Sequence, residues 1–256
     1  MIMYRLIPLS RTLLHESVCL TIGTYFLFGR SDFVFFDWSV PLENLPILLR
    51  SVLESVWITL VVFTLALIIG TILALIRLNK KNRVFYYITT TYVEIIRNTP
   101  VLVQIFFIYF GLPQFGIRLN PIVAGILALT INNSAYICEI LRSGIQAVSR
   151  GQREAANSIA LSEFSIFVFV ILPQALRNIF PSLINQFIMT LFGTSLLTAL
   201  DVKELSQVSS ILASRTARTM ETFIVATIIY YGVSTLLSAI LRFINKKYFP
   251  SVGERG

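Results

Sequence analysis

The sequence predicts an all-α integral membrane protein with five core transmembrane helices and an extra N-terminal helix, and three observations predict it. Of its 256 residues 55% are hydrophobic and only 13% charged, against about 25% charged in an ordinary soluble domain. The apolar residues gather into runs of about the 20 residues that a helix needs to cross a hydrocarbon core. The net charge of +8 sits in short basic clusters between those runs. That arrangement sets membrane topology; a nucleic acid would need a basic patch on a polar surface.

The runs can be taken in order. A weak candidate covers about 12–28 but carries His15 and Glu16. No small-residue cleavage site ends its apolar part, so it reads as an uncleaved extra helix rather than a signal peptide. The first strong span is about 52–76, containing "VVFTLALIIGTILALI", and the second is about 85–112 with the polar interruption "EIIRNTP". The third, fourth and fifth spans cover about 121–145, 166–200 and 222–244. Arg77, Lys80, Lys81 and Arg83 follow the first span, Arg142, Arg150 and Arg153 the third, and Arg242, Lys246 and Lys247 the fifth. Cytoplasmic loops are rich in such residues, so these three ends belong inside, and Arg5 and Arg11 put the N-terminus there too. The segment 201–221 is then external, with Lys203, Arg215 and Arg218 against the rule. The expected organisation is an N-terminal extension 1–45, a membrane domain 46–247 with a cytoplasmic loop at 149–165, and a cytoplasmic tail 248–256. No internal repeat is visible, and no loop is long enough to bury a soluble core.

Several chemistries are excluded or disfavoured. Cys19 and Cys138 have no metal-ligand spacing, and His15 is the only histidine, so a metal site or a histidine base is not expected. The chain has no G-x-x-x-x-G-K-[ST] loop and cannot cradle ATP in that way. No nucleophile, base and orienting group can be assembled, so the chain is not expected to be an enzyme or to bind a cofactor itself.

Polar residues inside the spans are the candidate functional groups, because they are costly in lipid unless they face protein or water. Asn132 and Asn133 lie mid-span in the third run. Asn185 and Gln186 lie about 12 residues beyond Pro173, or roughly 18 Å along a helix, which brings amides of two spans to one depth. They either line a cavity or tie helix to helix. Gly193, seven residues after Gln186, would leave room on the same face. Glu94 and Arg97, and Glu139 and Arg142, are three apart and can meet on one helix face. They suit structural ion pairs near the cytoplasmic end, or proton-relay groups in an ion-coupled carrier of small polar solutes. Pro100 removes a backbone donor and breaks the second span. Asn98 and Thr99 can satisfy the freed carbonyls, and Gln104 just beyond joins the candidate substrate path.

The polar stretch "GQREAANSIALS" (151–162) lies between two apolar runs. Its helix formers predict a short helix. Ala155, Ala156 and Ala160 form a small-residue face that another protein could approach, although a solvated linker would read the same way. Continued to "EAANSIALSEFSIFVFVILPQALRNIFPSL", it resembles the EAA signature of ABC importer permeases. Glu154, Ala155, Ala156, Leu172 and Pro173 are in register, and Ala160 stands where that family usually has Gly. "YVEIIRNTPVLVQIFFIYFGLP", "INNSAYICEILRSGIQAVSRGQREAA", "ILPQALRNIFPSLINQFI" and "TSLLTALDVKELS" resemble the polar amino-acid uptake branch, so the likeness covers about 48–247.

That resemblance implies a permease subunit of the bacterial cytoplasmic membrane. The loop bearing Gly151, Glu154, Ala155, Ala156 and Ala160 would be the coupling helix that docks on a cytoplasmic ABC ATPase dimer, in which ATP and Mg would be bound. A second permease subunit, identical or not, and an extracytoplasmic binding protein would complete the complex, with a polar amino acid as its cargo. An acidic residue often occupies the Gln186 position in relatives that carry cationic amino acids, so a strictly cationic cargo is disfavoured. The sequence departs from the family pattern at Phe192, where Lys is common, and in the apolar run "EFSIFVFV". Because alanine avoids positive φ, Ala160 in place of Gly predicts a more continuously helical loop.

Overall fold

The computed structural model describes residues 36–79 and 82–248; the expected helix at 12–28 and the tail beyond 248 lie outside them. The described residues from Trp38 onward form one compact unit. A short turn, Ser39–Glu43, leads into α1 (Leu45–Leu78), followed by α2 (Arg83–Arg97), α3 (Val101–Phe106), α4 (Pro121–Gln146) and α5 (Arg150–Ser158). Then come α6 (Leu172–Gly193), α7 (Leu205–Thr216) and α8 (Thr219–Tyr248). A helical turn at Glu163–Ser165 and a wide π turn at Ile166–Ile171 run into α6, and a tight 3₁₀ turn, Thr194–Leu200, extends it.

Four helical runs are long and apolar enough to cross a membrane: Leu45–Leu78, Pro121–Gln146, Glu163–Leu200 and Thr219–Tyr248. A fifth span is made if Arg83–Arg97 and Val101–Phe115, bent by 107°, are counted together. The five expected core spans are therefore present, with the second broken where Pro100 stands.

The break is built from local side chains. Asn98 Nδ2 donates to Glu94 O at 2.8 Å and Thr99 Oγ1 to Ile95 O at 2.9 Å. Gln104 Nε2 reaches back to Ile96 O and Thr99 Oγ1, both at 2.8 Å. Carbonyls that lose their helical partner at a proline need other donors in a membrane; Thr99 and Gln104 supply them at Ile95 O and Ile96 O, while Asn98 adds a second bond to Glu94 O, which keeps its backbone donor.

Packing centres on α4, which lies against α1 and α6. Two glycines let α6 and the 3₁₀ turn that extends it approach α4. A Cβ on Gly144 would stand 2.2 Å from Ile179 Cγ1, and one on Gly125 would stand 2.6 Å from Leu197 Cδ2. Membrane helices gain little from excluding lipid and depend on this close van der Waals approach. Ile58, Val62, Ile105, Ala128, Leu129 and Leu197 make a sealed apolar core. Gly193 is half-buried beside this core, and a Cβ there would meet Leu129 Cδ2 at 3.7 Å, an ordinary contact.

The loop differs from expectation. α5 stops at Ser158, and Ala160 adopts φ of 56°. Ala160 N bonds Asn157 O at 2.9 Å and Leu161 N bonds Ala156 O at 3.4 Å. These two bonds close a Schellman motif, whose left-handed position is usually glycine. The loop therefore bends where a glycine would bend it and is not continuously helical. The carbonyls left open at the end of α5 take these bonds, against a left-handed penalty of about 1–2 kcal/mol for alanine.

Candidate functional site

A cleft of about 470 Å³ opens between the C-terminal end of α2, the C-terminal part of α4 and the middle of α6. Tyr136, Glu139 and Ser143 line it from α4, and Ser182, Asn185 and Gln186 from α6, with Arg97 at the end of α2. Pro181 sits inside α6 beside Ser182.

The four amides divide into different duties. Asn133 is buried, and its Oδ1 accepts from Gln186 Nε2 at 2.7 Å and Thr190 Oγ1 at 2.6 Å. It ties α4 to α6. Asn185 faces the cleft, and Gln186 spends its amide N–H on Asn133 while bordering the cleft. Asn132 Nδ2 donates to Gln104 Oε1 at 3.0 Å. Asn132 and Gln104 thus brace the broken span, and neither is among the residues lining the cleft.

Charge at the cleft is organised around Glu139. Arg77 Nη1 lies 2.7 Å from its Oε2, Arg142 pairs with its Oε1, and Arg97 Nη1 is 4.0 Å away. The expected Glu139–Arg142 pair is present. The expected Glu94–Arg97 pair is not: among the described residues Glu94 has no ion pair, and Arg97 lies over the Tyr136 ring at 5.4 Å. The reason is that α2 ends at Arg97, so the side chain points past the helix toward α4. One carboxylate against three guanidinium groups leaves an excess of two positive charges. Arg97, the most exposed of the three at 39%, is the least committed. A cation over an aromatic face beside the Asn185 amide suits a small solute that carries a carboxylate.

The polar loop presents a second surface at the same end. Gly151, Glu154, Ala155 and Ala160 are exposed. Ala156 is not part of that face, because it turns inward and packs on Ile166 and Ile171. Arg153 Nη2 and Glu163 Oε2, 3.5 Å apart, span the bend. Ile159 and Phe164, 71% and 75% exposed, are apolar residues of this surface that the sequence pattern did not single out. Both fall outside the helical repeat of α5, so no periodicity marks them.

Residues 66–250 match the family described as binding-protein-dependent transport system inner membrane component. The glutamine transport system permease protein GlnP of Escherichia coli K12 is 32% identical over 214 residues, 83% of this chain and 97% of that protein. A crystal structure of an amino acid ABC transporter with histidines superposes with a TM-score of 0.79 at 33% identity, covering 84% of this chain and all of that one. An inward-facing MetNI methionine ABC transporter structure shares the fold, with a TM-score of 0.62 at 18% identity over 79% of this chain and 98% of that one.

Proposed function

Because the chain belongs to the binding-protein-dependent transport system inner membrane components, and so is a multi-pass permease subunit of an ABC importer in the bacterial inner membrane, we propose that it carries a polar amino acid through the cleft between α4 and α6. The cleft observation carries this reading: Arg97, Asn185 and Gln186 meet there beside a carboxylate already neutralised by arginine. The cargo carboxylate pairs with Arg97, and Asn185 and the Gln186 carbonyl read its polar groups. A neutral amide at Gln186 lacks the charge that a cationic side chain would seek. The names of the relatives, glutamine permease and amino acid transporter, support the same class.

The drive comes from outside the chain. Two ATPase subunits holding ATP and Mg dock on the loops of two permease subunits, whether those are identical or not. An external binding protein delivers the cargo at the opposite end. Glu154, Ala155, Gly151, Ile159 and Phe164 form the docking surface, and the bend at Ala160 aims it. ATP-driven closure of the ATPases biases the membrane helices between two packings. The rival reading, an ion-coupled carrier using Glu94 and Glu139, falls with the family membership.

Two variants of the exposed surface test the coupling. Glu154→Lys and Ala155→Trp, co-expressed with the ATPase, are expected to abolish uptake while membrane levels of the permease stay normal. Normal uptake by both would overturn the docking assignment.

A further inference from the structure

Glu204 lies far along the chain from the cleft residues and is fully buried, at 0% exposure. Among the described residues no lysine, arginine or histidine pairs with it. Its carboxylate is met by hydrogen-bond donors alone. Thr198 Oγ1 and the Gln207 backbone N–H donate to Oε1, each at 2.9 Å. Tyr230 Oη donates to Oε2 at 2.7 Å and Ser55 Oγ at 3.2 Å. Ser55 Oγ also accepts from Leu205 N at 3.4 Å, and Ser206 Oγ lies 3.1 Å from Tyr230 Oη. As the residue preceding α7, Glu204 caps that helix in the ordinary way. An ordinary cap sits at the surface, whereas this one reaches inward.

The donors belong to four separate elements: α1, the 3₁₀ turn after α6, α7 and α8. A buried carboxylate without a cation depends on all its donors, because each one lost leaves charge desolvated and unpaired. The four elements are therefore held together or released as a set. Thr198 is 12 residues beyond Gln186 along one continuous helical run, roughly 18 Å. A surface pocket of about 560 Å³ is lined by Arg50 and Glu54 of α1 and by Asp201 and Lys203, just before Glu204 in the chain, all four exposed. The network thus joins α1 and the loop that bear this charged pocket to the rod that bears a cleft residue.

We propose that Glu204 is a positioning residue for transport. It is a carboxylate clamp, solvated by hydroxyl groups, that makes the ends of α1, α6, α7 and α8 opposite the ATPase move as one body and passes binding-protein contact to the α6 rod. This inference rests on the importer reading above.

The test uses the complete complex, reconstituted with its ATPase and binding protein, and measures uptake together with ATP hydrolysis with and without the binding protein. Tyr230→Phe keeps the ring and removes one donor. It is expected to cut uptake and binding-protein-stimulated hydrolysis about tenfold, the weight of one hydrogen bond to a charged group, with unstimulated hydrolysis within about twofold of wild type. Glu204→Gln keeps the geometry, since its oxygen can accept from Gln207 and Thr198 and its amide can donate to Tyr230 and Ser55; it is expected to stay within about threefold of wild type. The double variant, with no charge left to solvate, is expected to transport better than Tyr230→Phe alone. Ser55→Ala repeats the test on α1 should Tyr230→Phe fail to accumulate. Equal loss of stimulated and unstimulated hydrolysis, or a double variant worse than the single, would overturn the clamp and leave Glu204 a fold residue only. A wild-type complex showing no ATP-dependent uptake would overturn the importer reading and the clamp with it.

Discussion

Glu139 and Glu204 are two acids in one membrane protein, stabilised in opposite ways. Glu139 borders a cleft, is 23% exposed and has three arginines around it. Glu204 is sealed and has hydroxyl groups and one backbone N–H. The difference follows from what surrounds each. Around Glu139 the chain ends three helices or their final turns, where long cationic side chains reach in from the cytoplasmic side. Around Glu204, buried among α1, α7, α8 and the turn after α6, the donors are hydroxyls and a backbone N–H. A cation cluster near water tolerates an approaching anion, which suits a cleft. A hydroxyl shell has no spare charge to offer and suits a joint.

The largest expected effect breaks that comparison outright. Glu139→Gln leaves Arg77, Arg142 and Arg97 facing one another without a carboxylate. The expected cost is about 3 kcal/mol or more, seen as loss of folded protein in thermal unfolding of the purified complex, whereas Glu204→Gln should unfold close to wild type. Equal unfolding of the two variants would contradict the distinction drawn between them. The glycine contacts sharpen it next. Gly144→Ala drives a Cβ to 2.2 Å from Ile179, near the cleft, and Gly125→Ala to 2.6 Å from Leu197 in the sealed core. Each should cost about 1–3 kcal/mol, with Gly144→Ala the worse, as read by midpoint shifts in the same assay.

A smaller effect belongs to the cleft. Gln186→Ala is expected to weaken cargo affinity by about 1 kcal/mol, roughly fivefold, with the complex still assembled. An unchanged concentration dependence of uptake would remove Gln186 from the path. The smallest effect is stabilising. Ala160→Gly relieves the left-handed alanine and should add about 1 kcal/mol with uptake unchanged. A lower unfolding midpoint would show that the loop gains nothing from that relief.

Much of the fold was legible in the sequence. Apolar runs dictate spans because an unpaired backbone cannot face lipid, and Pro100 announces its break. The side chains that brace the break were also partly foreseen: Thr99 takes a freed carbonyl as expected, whereas Asn98 bonds one that keeps its backbone donor. What stayed hidden depends on tertiary neighbours. Spacing of three paired Arg97 with Glu94, but the helix ends at Arg97 and the partner comes from α4. Small size placed Ala156 on a docking face, yet its direction was set by Ile166 and Ile171 on the next segment. Ala160 predicted a straighter loop, and the bonds closing the helix end outweighed its backbone preference. Glu204 carried no signal at all: in "LDVKELS" it is one charge in a polar loop, and its donors come from positions as far away as Ser55.

The most direct measurement is labelled amino-acid uptake into liposomes holding the permease with its ATPase, with the binding protein and ATP each supplied or withheld on their proper sides. The account predicts uptake only when both are present, with an uncharged polar amino acid preferred. Uptake driven by a pH gradient without ATP would contradict it.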